Sequence, residues 1–196
     1  PHLRLRTTMF AAVFRVRSGA AQAIHRYFHE NRCYYIHTPL ITASDCEGAG
    51  EMFRVTTQPW NAAYDSEEAY YKEDFFGRKA GLSVSGQLEG EVAAMALGRI
   101  YTFGPSFRAE NSNTTRHLAE FWHVEPEIAF AELPEVMEVA EDMIKYVVRA
   151  VLEECPAEMD FFERFVENGL KAKLSNIVES SFAVLDYTDA IGLLKK

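Results

Sequence analysis

Residues 107–127 read FRAENSNTTRHLAEFWHVEPE, and this stretch decides the fold. From Tyr101 to Glu110, aromatic residues alternate with small or polar ones, and a second alternation starts after Glu120. A period of two is typical of strands that bury one face. The polar residues between the two alternations predict a connecting loop. We therefore expect two strands, which such a loop can join as an antiparallel pair.

One face of this strand pair combines several kinds of chemistry. The alternation places Arg108 and Glu110 on one side of the first strand and Phe121 on the matching row of the second. A guanidinium group suits a phosphate, an aromatic ring suits a base, and the loop adds Arg116 and His117. The mixture favours a nucleotide site, whereas any one of these residues would equally suit a solvated sheet surface. The second strand is predicted to carry an apolar row and a polar row, the latter being Phe121, His123, Glu125 and Glu127.

The same residues resemble motif 2 of the class II aminoacyl-tRNA synthetases, and specifically that of the asparaginyl-tRNA synthetases. Three more segments resemble this family in the same order. Residues 31–42 (NRCYYIHTPLIT) resemble motif 1, residues 42–53 (TASDCEGAGEMF) the amino-acid-binding loop, and residues 74–91 (DFFGRKAGLSVSGQLEGE) the segment that selects asparagine. Four matches in order make a chance resemblance improbable.

This resemblance implies an α+β fold in which an antiparallel sheet of the class II synthetase type is flanked by helices. It implies one partial catalytic domain over residues 1–196, with motif 1 at about 18–42, motif 2 at about 101–130 and a helical segment at about 134–196. The family's upstream anticodon-binding domain and its downstream motif 3 have no counterpart here. We therefore expect a sheet that is incomplete at its C-terminal end and a fragment with little or no activity alone.

The implied reaction is the ATP-dependent activation of L-asparagine to asparaginyl-adenylate, followed by transfer to tRNA(Asn). Mg²⁺ is the expected companion of the ATP phosphates. By resemblance, Arg108 is the catalytic residue on the α-phosphate, and Arg116 or His117 lies near the β- and γ-phosphates. Glu110 would lie near the adenine, and Phe121 would stack on its ring.

The resemblance also assigns the amino-acid side of the site. Glu47 would receive the α-amino group, Gln87 would contact the substrate, and Glu91 would accept a hydrogen bond from the side-chain amide of asparagine. A fixed carboxylate attracts an amide donor and repels the carboxylate of aspartate. Aspartyl-tRNA synthetases have a lysine at the place of Gly90, so its absence favours asparagine. Pro39 of motif 1 is expected at the interface of a homodimer.

Two other classes of function stay open at this point. One is a different enzyme on the same fold, either an aspartyl-tRNA synthetase or a related ATP-dependent asparagine synthetase. The other is a non-catalytic module for dimerisation or binding that has kept the fold. Binding of asparagine rather than aspartate would separate the first from our reading, and loss of ligand binding on removal of Arg108 would exclude the second.

The composition is that of a globular domain, with 48% hydrophobic and 25% charged residues. The net charge of −9 argues against nucleic acid covering the whole surface, so any RNA contact should be local. Three widely spaced cysteines predict neither a disulfide framework nor a thiolate metal site, which favours a reducing, cytoplasmic location. No signal peptide or membrane-spanning segment is evident, so no membrane partner is expected.

The remaining pattern predicts further elements. A long amphipathic helix is expected from Thr8 to Asn31, and a strand from Tyr34 to Thr42. Ser85 is the expected N-cap of a helix to about Gly98. The buried stripe of that helix is expected to consist of Leu88, Val92 and Met95. Helices are also predicted after Pro134, over residues 161–174 and from Thr188, and residues 59–69 are expected to form an acidic inserted loop. His25 and His29 lie four apart on the first helix, but without a third ligand we expect no metal there.

Overall fold

The fold is described by a computed structural model covering residues 2–46, 52–112 and 114–195. Two compact units divide the described chain, one formed by the residues before Asn31 and after Phe130, the other by Asn31–Phe130. The chain thus leaves the first unit after one long helix and returns to it for the last four.

The helical unit contains a 3₁₀ turn at Arg4–Arg6 and five helices. These are α1 (Thr8–Glu30), α4 (Leu133–Glu154), α5 (Pro156–Phe165), α6 (Leu170–Glu179) and α7 (Tyr187–Leu194). The predicted first helix is confirmed. The single helix expected over residues 161–174 is wrong, because α5 ends at Phe165 and α6 begins at Leu170, with Gly169 as its N-cap at a φ of 85°. Glycine adopts that left-handed conformation without the steric cost other residues meet.

The packing of this unit centres on α1 against α4. Tyr27 and Phe28 are buried, and the Tyr27 hydroxyl donates to the carbonyl of Val139 at 3.2 Å. Gly19 allows α1 to approach the buried Cys155, since a Cβ there would lie 3.2 Å from the Cys155 Sγ. The start of α4 is fixed by a capping box in which Glu132 and Glu135 exchange hydrogen bonds with each other's backbone N–H.

Among its described residues, the second unit contains two three-stranded sheets. The strands are β1 (Tyr34–Tyr35), β2 (Ile41–Thr42), β3 (Arg54–Val55), β4 (Ala80–Leu82), β5 (Arg99–Phe107) and β6 (Glu120–Ile128), with α2 (Glu67–Lys72) and α3 (Gln87–Leu97) between them. One sheet has the order β1-β5-β6, with β1 parallel to β5 and β5 antiparallel to β6. The other has the antiparallel order β2-β4-β3.

Two predicted strands differ in extent. The strand expected over Tyr34–Thr42 is broken into β1 and β2, which belong to different sheets, and the exposed Pro39 lies between them. Proline lacks the N–H that a strand donates to its neighbour in a sheet, which accounts for the break between β1 and β2 around Pro39. The first long strand ends at Phe107 rather than Glu110, although the Arg108 N–H still donates to the carbonyl of Ala119 at 3.0 Å.

The segment over residues 58–74 is held by local hydrogen bonds. The Tyr64 hydroxyl donates to Gln58 Oε1 at 2.7 Å, and Ser66 caps α2 by accepting from the N–H of Ala69. Asp74 is buried and accepts from the N–H and the hydroxyl of Thr57 at 2.9 and 2.7 Å. The predicted inserted loop therefore ends in the short helix α2, and Asp74 ties that helix back to the chain after β3.

Candidate functional site

The polar row predicted on the β5–β6 pair exists. The strand register pairs Ser106 with Phe121, Gly104 with His123, Thr102 with Glu125 and Ile100 with Glu127. Side chains two apart on a strand share a face, so these eight residues form one face of the pair. We call it the polar face. It spans about 20 Å from Phe121 to Glu127, at roughly 3.3 Å per residue.

One end of the polar face is open and forms a cavity. This cavity has a volume of about 520 Å³, and we call it the motif 2 cavity. It is lined by Arg108, Glu110, Ser112, Arg116, His117, Leu118, Ala119 and Phe121. All five residues predicted to meet ATP are therefore brought to one cavity.

Arg108 and Phe121 form the floor of this end. The Arg108 guanidinium carbon lies 5.4 Å from the centroid of the Phe121 ring, within the range of a cation–π contact. Its Nε donates to the carbonyl of Val84 at 3.4 Å. The guanidinium is thus held from two sides, which fixes its fork for a bidentate contact with an anion. In the connecting loop, Arg116 and His117 are exposed, and His117 Nδ1 hydrogen-bonds the hydroxyl of Thr114.

Gln87 and Glu91 lie one turn apart on α3. Gln87 Nε2 donates to Glu91 Oε1 at 3.0 Å, so the predicted shared face is confirmed. Both residues are exposed. In this arrangement the amide orients the carboxylate, which keeps free lone pairs for a further donor.

The rest of α3 packs differently from the prediction. Leu88, Val92 and Met95 are exposed, with Met95 at 80%, so the expected buried stripe is wrong. Gly90 and Ala94 are the buried residues of α3. A small residue brings the helix backbone close to the sheet, and a Cβ on Gly90 would lie 3.3 Å from Glu127 Cγ.

Glu125 anchors the start of α3. Its carboxylate accepts from the Gly86 N–H at 3.2 Å and from the Thr102 hydroxyl at 2.8 Å, and the Ser85 hydroxyl donates to it as well. Its side chain is only 11% exposed. A carboxylate at a helix N-terminus is favoured by the unpaired N–H groups and the helix dipole. Ser85 is not the N-cap itself. Gly86 has that position, and the Ser85 Oγ accepts from the N–H of Gln87 at 3.0 Å.

Sequence reasoning placed Glu125 on the right row but gave it no role. His123 Nδ1 lies 3.3 Å from Glu125 and 3.2 Å from the Ser106 hydroxyl, which links Glu125 to two more polar groups of the polar face. The signal was present in the sequence. Thr102, Ser106, His123 and Glu125 are polar residues in strands whose other face is apolar, and buried polar groups require partners.

Some predicted features lie outside this description. Glu47, expected to receive the α-amino group, falls outside the described residues. A second cavity of about 500 Å³ lies beside β2, β3 and β4 and includes Asp45, Arg54 and Lys79 in its wall. In the described parts of the chain, no group of three or more His, Cys, Asp or Glu residues could hold a metal ion. Across the same residues, none of the helices is long and apolar enough to span a membrane.

Comparison with known proteins agrees with this geometry. The model of the family described as tRNA synthetases class II (D, K and N) matches residues 1–195. The chain belongs to this class II tRNA synthetase family.

Several members of the family are similar to it over its whole length. The asparagine–tRNA ligase of Clostridium novyi is 56% identical over 197 aligned positions, which cover 100% of this chain and 42% of that protein. The asparagine–tRNA ligase of Oleidesulfovibrio alaskensis is 55% identical over an alignment that covers 99% of this chain and 42% of that protein. The chain therefore spans about two fifths of the length of the curated relatives it matches.

Solved class II synthetase structures share the fold. The asparaginyl-tRNA synthetase from Pyrococcus horikoshii complexed with asparaginyl-adenylate matches with a TM-score of 0.80 and 30% identity, covering 99% of this chain and 39% of that one. A putative aspartyl-tRNA synthetase from Leishmania major matches with a TM-score of 0.64 and 27% identity, covering 83% and 28%. The predicted class II synthetase fold is confirmed.

Proposed function

We propose that this chain is part of an asparagine–tRNA ligase and supplies the ATP-binding and amino-acid-selecting side of its active site. Residues 1–196 would then be a partial catalytic domain, with motif 1 at about 18–42, motif 2 at about 101–130 and helices from about 134. The 56% identity to a curated asparagine–tRNA ligase supports this reading over aspartate as the substrate. Two aspartyl-tRNA synthetase structures similar to this chain, one of them putative, are 27% and 23% identical to it.

The observation that carries the proposal is the grouping of Arg108, Glu110, Arg116, His117 and Phe121 around one cavity. In the proposed reaction, the asparagine carboxylate attacks the α-phosphate of ATP and pyrophosphate leaves. The asparaginyl group then passes to the terminal ribose of tRNA(Asn). Little of this chemistry needs a covalent contribution from the protein, so positioning and charge stabilisation supply the catalysis.

Five residues of the motif 2 cavity have a proposed role. Arg108, held by the Val84 carbonyl and the Phe121 ring, would bind the α-phosphate as charge builds in the transition state. The exposed Arg116 and His117 would bind the β- and γ-phosphates. Glu110 would accept a hydrogen bond from the adenine amino group. Phe121 would stack on the adenine with the ring face that Arg108 leaves open.

Mg²⁺ would reach the site as part of the ATP complex. Among the described residues, no group of three or more His, Cys, Asp or Glu could hold a metal ion. When bound to ATP, Mg²⁺ neutralises phosphate charge. The protein's own contribution at this end is the pair of cations Arg108 and Arg116.

The amino-acid end would be built from α3. Gln87 orients Glu91 through the 3.0 Å hydrogen bond, and Glu91 would accept the side-chain NH₂ of asparagine. Aspartate would bring a second carboxylate to the same place and be rejected by charge repulsion. Glu47 would bind the substrate α-amino group.

Two further proposals concern the assembly and its location. A homodimer would use motif 1, where Pro39, Tyr34 and Tyr35 are exposed. Sedimentation of a strictly monomeric species at high protein concentration would contradict this. We also propose a cytoplasmic location, in keeping with three cysteines that are present as thiols rather than as disulfides.

The proposed function is tested by ligand-induced stabilisation of this chain. Thermal unfolding is followed with ATP and Mg²⁺, with asparagine, and with aspartate. A ligand at 100 times its Kd stabilises by about 2.7 kcal/mol. We expect stabilisation by ATP and by asparagine but not by aspartate. Arg108→Ala should abolish the ATP response and keep the asparagine response, whereas a response to aspartate alone would overturn the assignment.

Catalysis is a separate measurement. Asparagine-dependent ATP/pyrophosphate exchange is measured on the same chain, with aspartate as the control. We expect little or no exchange, because this chain spans about two fifths of the length of the asparagine–tRNA ligases it matches. Exchange at the rate of a whole synthetase would show that the described half-site is sufficient.

A further inference from the structure

The cavity beside β2, β3 and β4 has no part in the reaction described so far. It has a volume of about 500 Å³, and we call it the sheet cavity. Ala109 lies in its wall, whereas Arg108 and Glu110, on either side of Ala109 in the chain, line the motif 2 cavity. The two cavities are therefore neighbours along this segment.

A glycine sets the width of the sheet cavity. The strand register pairs Gly81 of β4 with Thr42 on one side and with Arg54 on the other, and residues paired across an antiparallel sheet share a face. A Cβ on Gly81 would lie 2.8 Å from the Phe53 carbonyl oxygen and 2.9 Å from Met52 Cε. Any larger residue would push this segment away from the sheet, so Gly81 keeps Met52 and Phe53 in the cavity wall.

Two side chains of the wall are cations. The Arg54 guanidinium carbon lies 5.6 Å from the ring centroid of Tyr71 and 5.9 Å from that of Tyr70, so cation–π contacts hold it in place. Lys79 comes directly before β4 and is exposed. Among the described residues, neither cation forms an ion pair. Asp45 adds one carboxylate to the wall, so this cavity is locally positive on a chain with a net charge of −9.

These features fit a phosphate joined to a flat apolar group. A guanidinium and an ammonium in one concave wall attract phosphate oxygens, which the guanidinium can bind through two parallel N–H donors. Phe53 is 37% exposed in the same wall, and an aromatic ring stacks on a nucleobase whatever its identity. Each nucleotide of a single-stranded nucleic acid supplies both groups. The cavity volume falls within the roughly 300–1,000 Å³ of sites that enclose a ligand of this size.

We propose that the sheet cavity binds the single-stranded 3′ end of the tRNA, with Arg54 and Lys79 on its phosphates and Phe53 against a base. The inference rests on the proposed function, which requires such an end to reach the adenylate. A strand in the sheet cavity lies beside Ala109, and the motif 2 cavity begins at the adjacent Arg108 and Glu110. The terminal ribose would thus have one backbone segment to pass before it meets the proposed site of the adenylate.

The test uses the 196-residue chain and two fluorophore-labelled RNA hairpins. Both have the acceptor stem of tRNA(Asn), but one carries the single-stranded 3′ extension and the other is blunt. Binding is followed by fluorescence anisotropy over a series of salt concentrations. We expect the extension to tighten binding at least fivefold at low salt. Equal binding of the two hairpins would overturn the proposal.

A lysine substitution locates the extension. Lys79→Gln should remove most of the gain from the extension and reduce the slope of log K against log salt concentration by about 0.7, the contribution of one phosphate contact to a single strand. Lys79 is exposed, so the fold should be unaffected. Lys72→Gln changes an exposed lysine of α2 outside the cavity wall and should keep the full gain. A gain that survives Lys79→Gln but is lost in Arg108→Ala would place the extension in the motif 2 cavity and refute the inference.

The sign of the charge effect gives an independent check. Asp45→Asn removes the carboxylate of the wall, so it should tighten binding of the extended hairpin about two- to threefold and leave the blunt hairpin unchanged. Weaker binding of the extended hairpin by Asp45→Asn would contradict a phosphate in this cavity.

The two proposals can fail separately. If neither ATP nor asparagine stabilises the chain but the extension binds and depends on Lys79, the proposed function is wrong and the single-strand site stands. If ATP and asparagine both stabilise the chain but the extension adds no affinity, the function stands and the inference fails.

Discussion

Removing the Glu125 carboxylate should destabilise the β-containing unit strongly. Glu125 accepts from a backbone N–H and from two hydroxyls, with a side chain that is 11% exposed. The Ser85 and Thr102 hydroxyls can rotate towards other acceptors, but the Gly86 N–H is fixed at the start of α3. Leaving such a buried group without a partner costs about 1–3 kcal/mol, and hydrogen bonds to charged acceptors contribute about 1.5–3 kcal/mol each. Allowing for rotation of the hydroxyls, we expect Glu125→Ala to lower the free energy of unfolding by about 3 kcal/mol.

The unfolding assay can follow the β-containing unit, Asn31–Phe130, separately. Both tryptophans of the chain, Trp60 and Trp122, lie within Asn31–Phe130, so tryptophan fluorescence in urea reports on that unit. With an m-value of about 2 kcal/mol/M, a loss of about 3 kcal/mol lowers the urea midpoint by roughly 1.5 M. Glu120→Ala on the same strand is the matched control, and its exposed side chain should cost less than about 0.5 kcal/mol.

An isostere separates hydrogen bonding from packing. Glu125→Gln keeps the shape of the side chain but turns one acceptor oxygen into a donor that faces other donors. It should therefore cost nearly as much as Glu125→Ala. A midpoint for Glu125→Gln within about 0.3 M of the wild type would refute the view that the carboxylate anchors α3 through its acceptors.

Three further predictions follow from other contacts. Arg108→Lys keeps the charge but loses the planar fork, so the Kd for ATP measured by calorimetry should rise about tenfold, or about 1.4 kcal/mol; an unchanged Kd would exclude a bidentate contact. Hydrogen bonds from the Thr57 N–H and hydroxyl, with that of Phe75, lower the pKa of Asp74 to about 2. The stability it contributes is therefore complete above the unfolded value of 3.8 and lost as pH falls towards 2, and Asp74→Asn should remove this part of the acid-unfolding curve. Gly86→Ala should destabilise by about 1–3 kcal/mol in urea, because its Cβ would lie 2.7 Å from Thr38 Oγ1, whereas Gly104→Ala meets nothing within 4 Å and serves as the control.

Alternation in the sequence predicted the polar face but not which part of it α3 packs against. The period of two places Arg108 and Phe121 on one face, where the two side chains are in contact. It does not set the register, which pairs Thr102 with Glu125. Which part of that face is buried depends on where α3 packs, and this is a long-range contact without a local signal. The residues that make the contact are Gly90 and Ala94, which contribute little to an apolar pattern.

The errors in α3 have the same origin. Leu88, Val92 and Met95 form the most apolar stripe of the helix, and a rule based on hydrophobicity therefore buries them. Close approach of the helix to a sheet requires small residues instead, and the exposed stripe remains on the other side. The apolar repeat over residues 161–174 likewise did not predict a helix boundary at Gly169, where a glycine in the left-handed conformation interrupts it.

The division of the polar face into a covered half and an open half explains how one strand pair can both hold a structure and bind a ligand. On the covered half, the Glu125 carboxylate accepts hydrogen bonds at the start of α3, which makes that helix a fixed support for Gln87 and Glu91. On the open half, Arg108 and Phe121 contact each other and still face a cavity. Because Phe121 and Glu125 lie on the same strand, strand geometry sets the distance between Phe121 at the proposed nucleotide end and the anchor of α3 at the proposed amino-acid end. A substrate whose reacting carboxylate and phosphate must meet between these ends would therefore be held at a fixed spacing, which is the condition for catalysis by positioning.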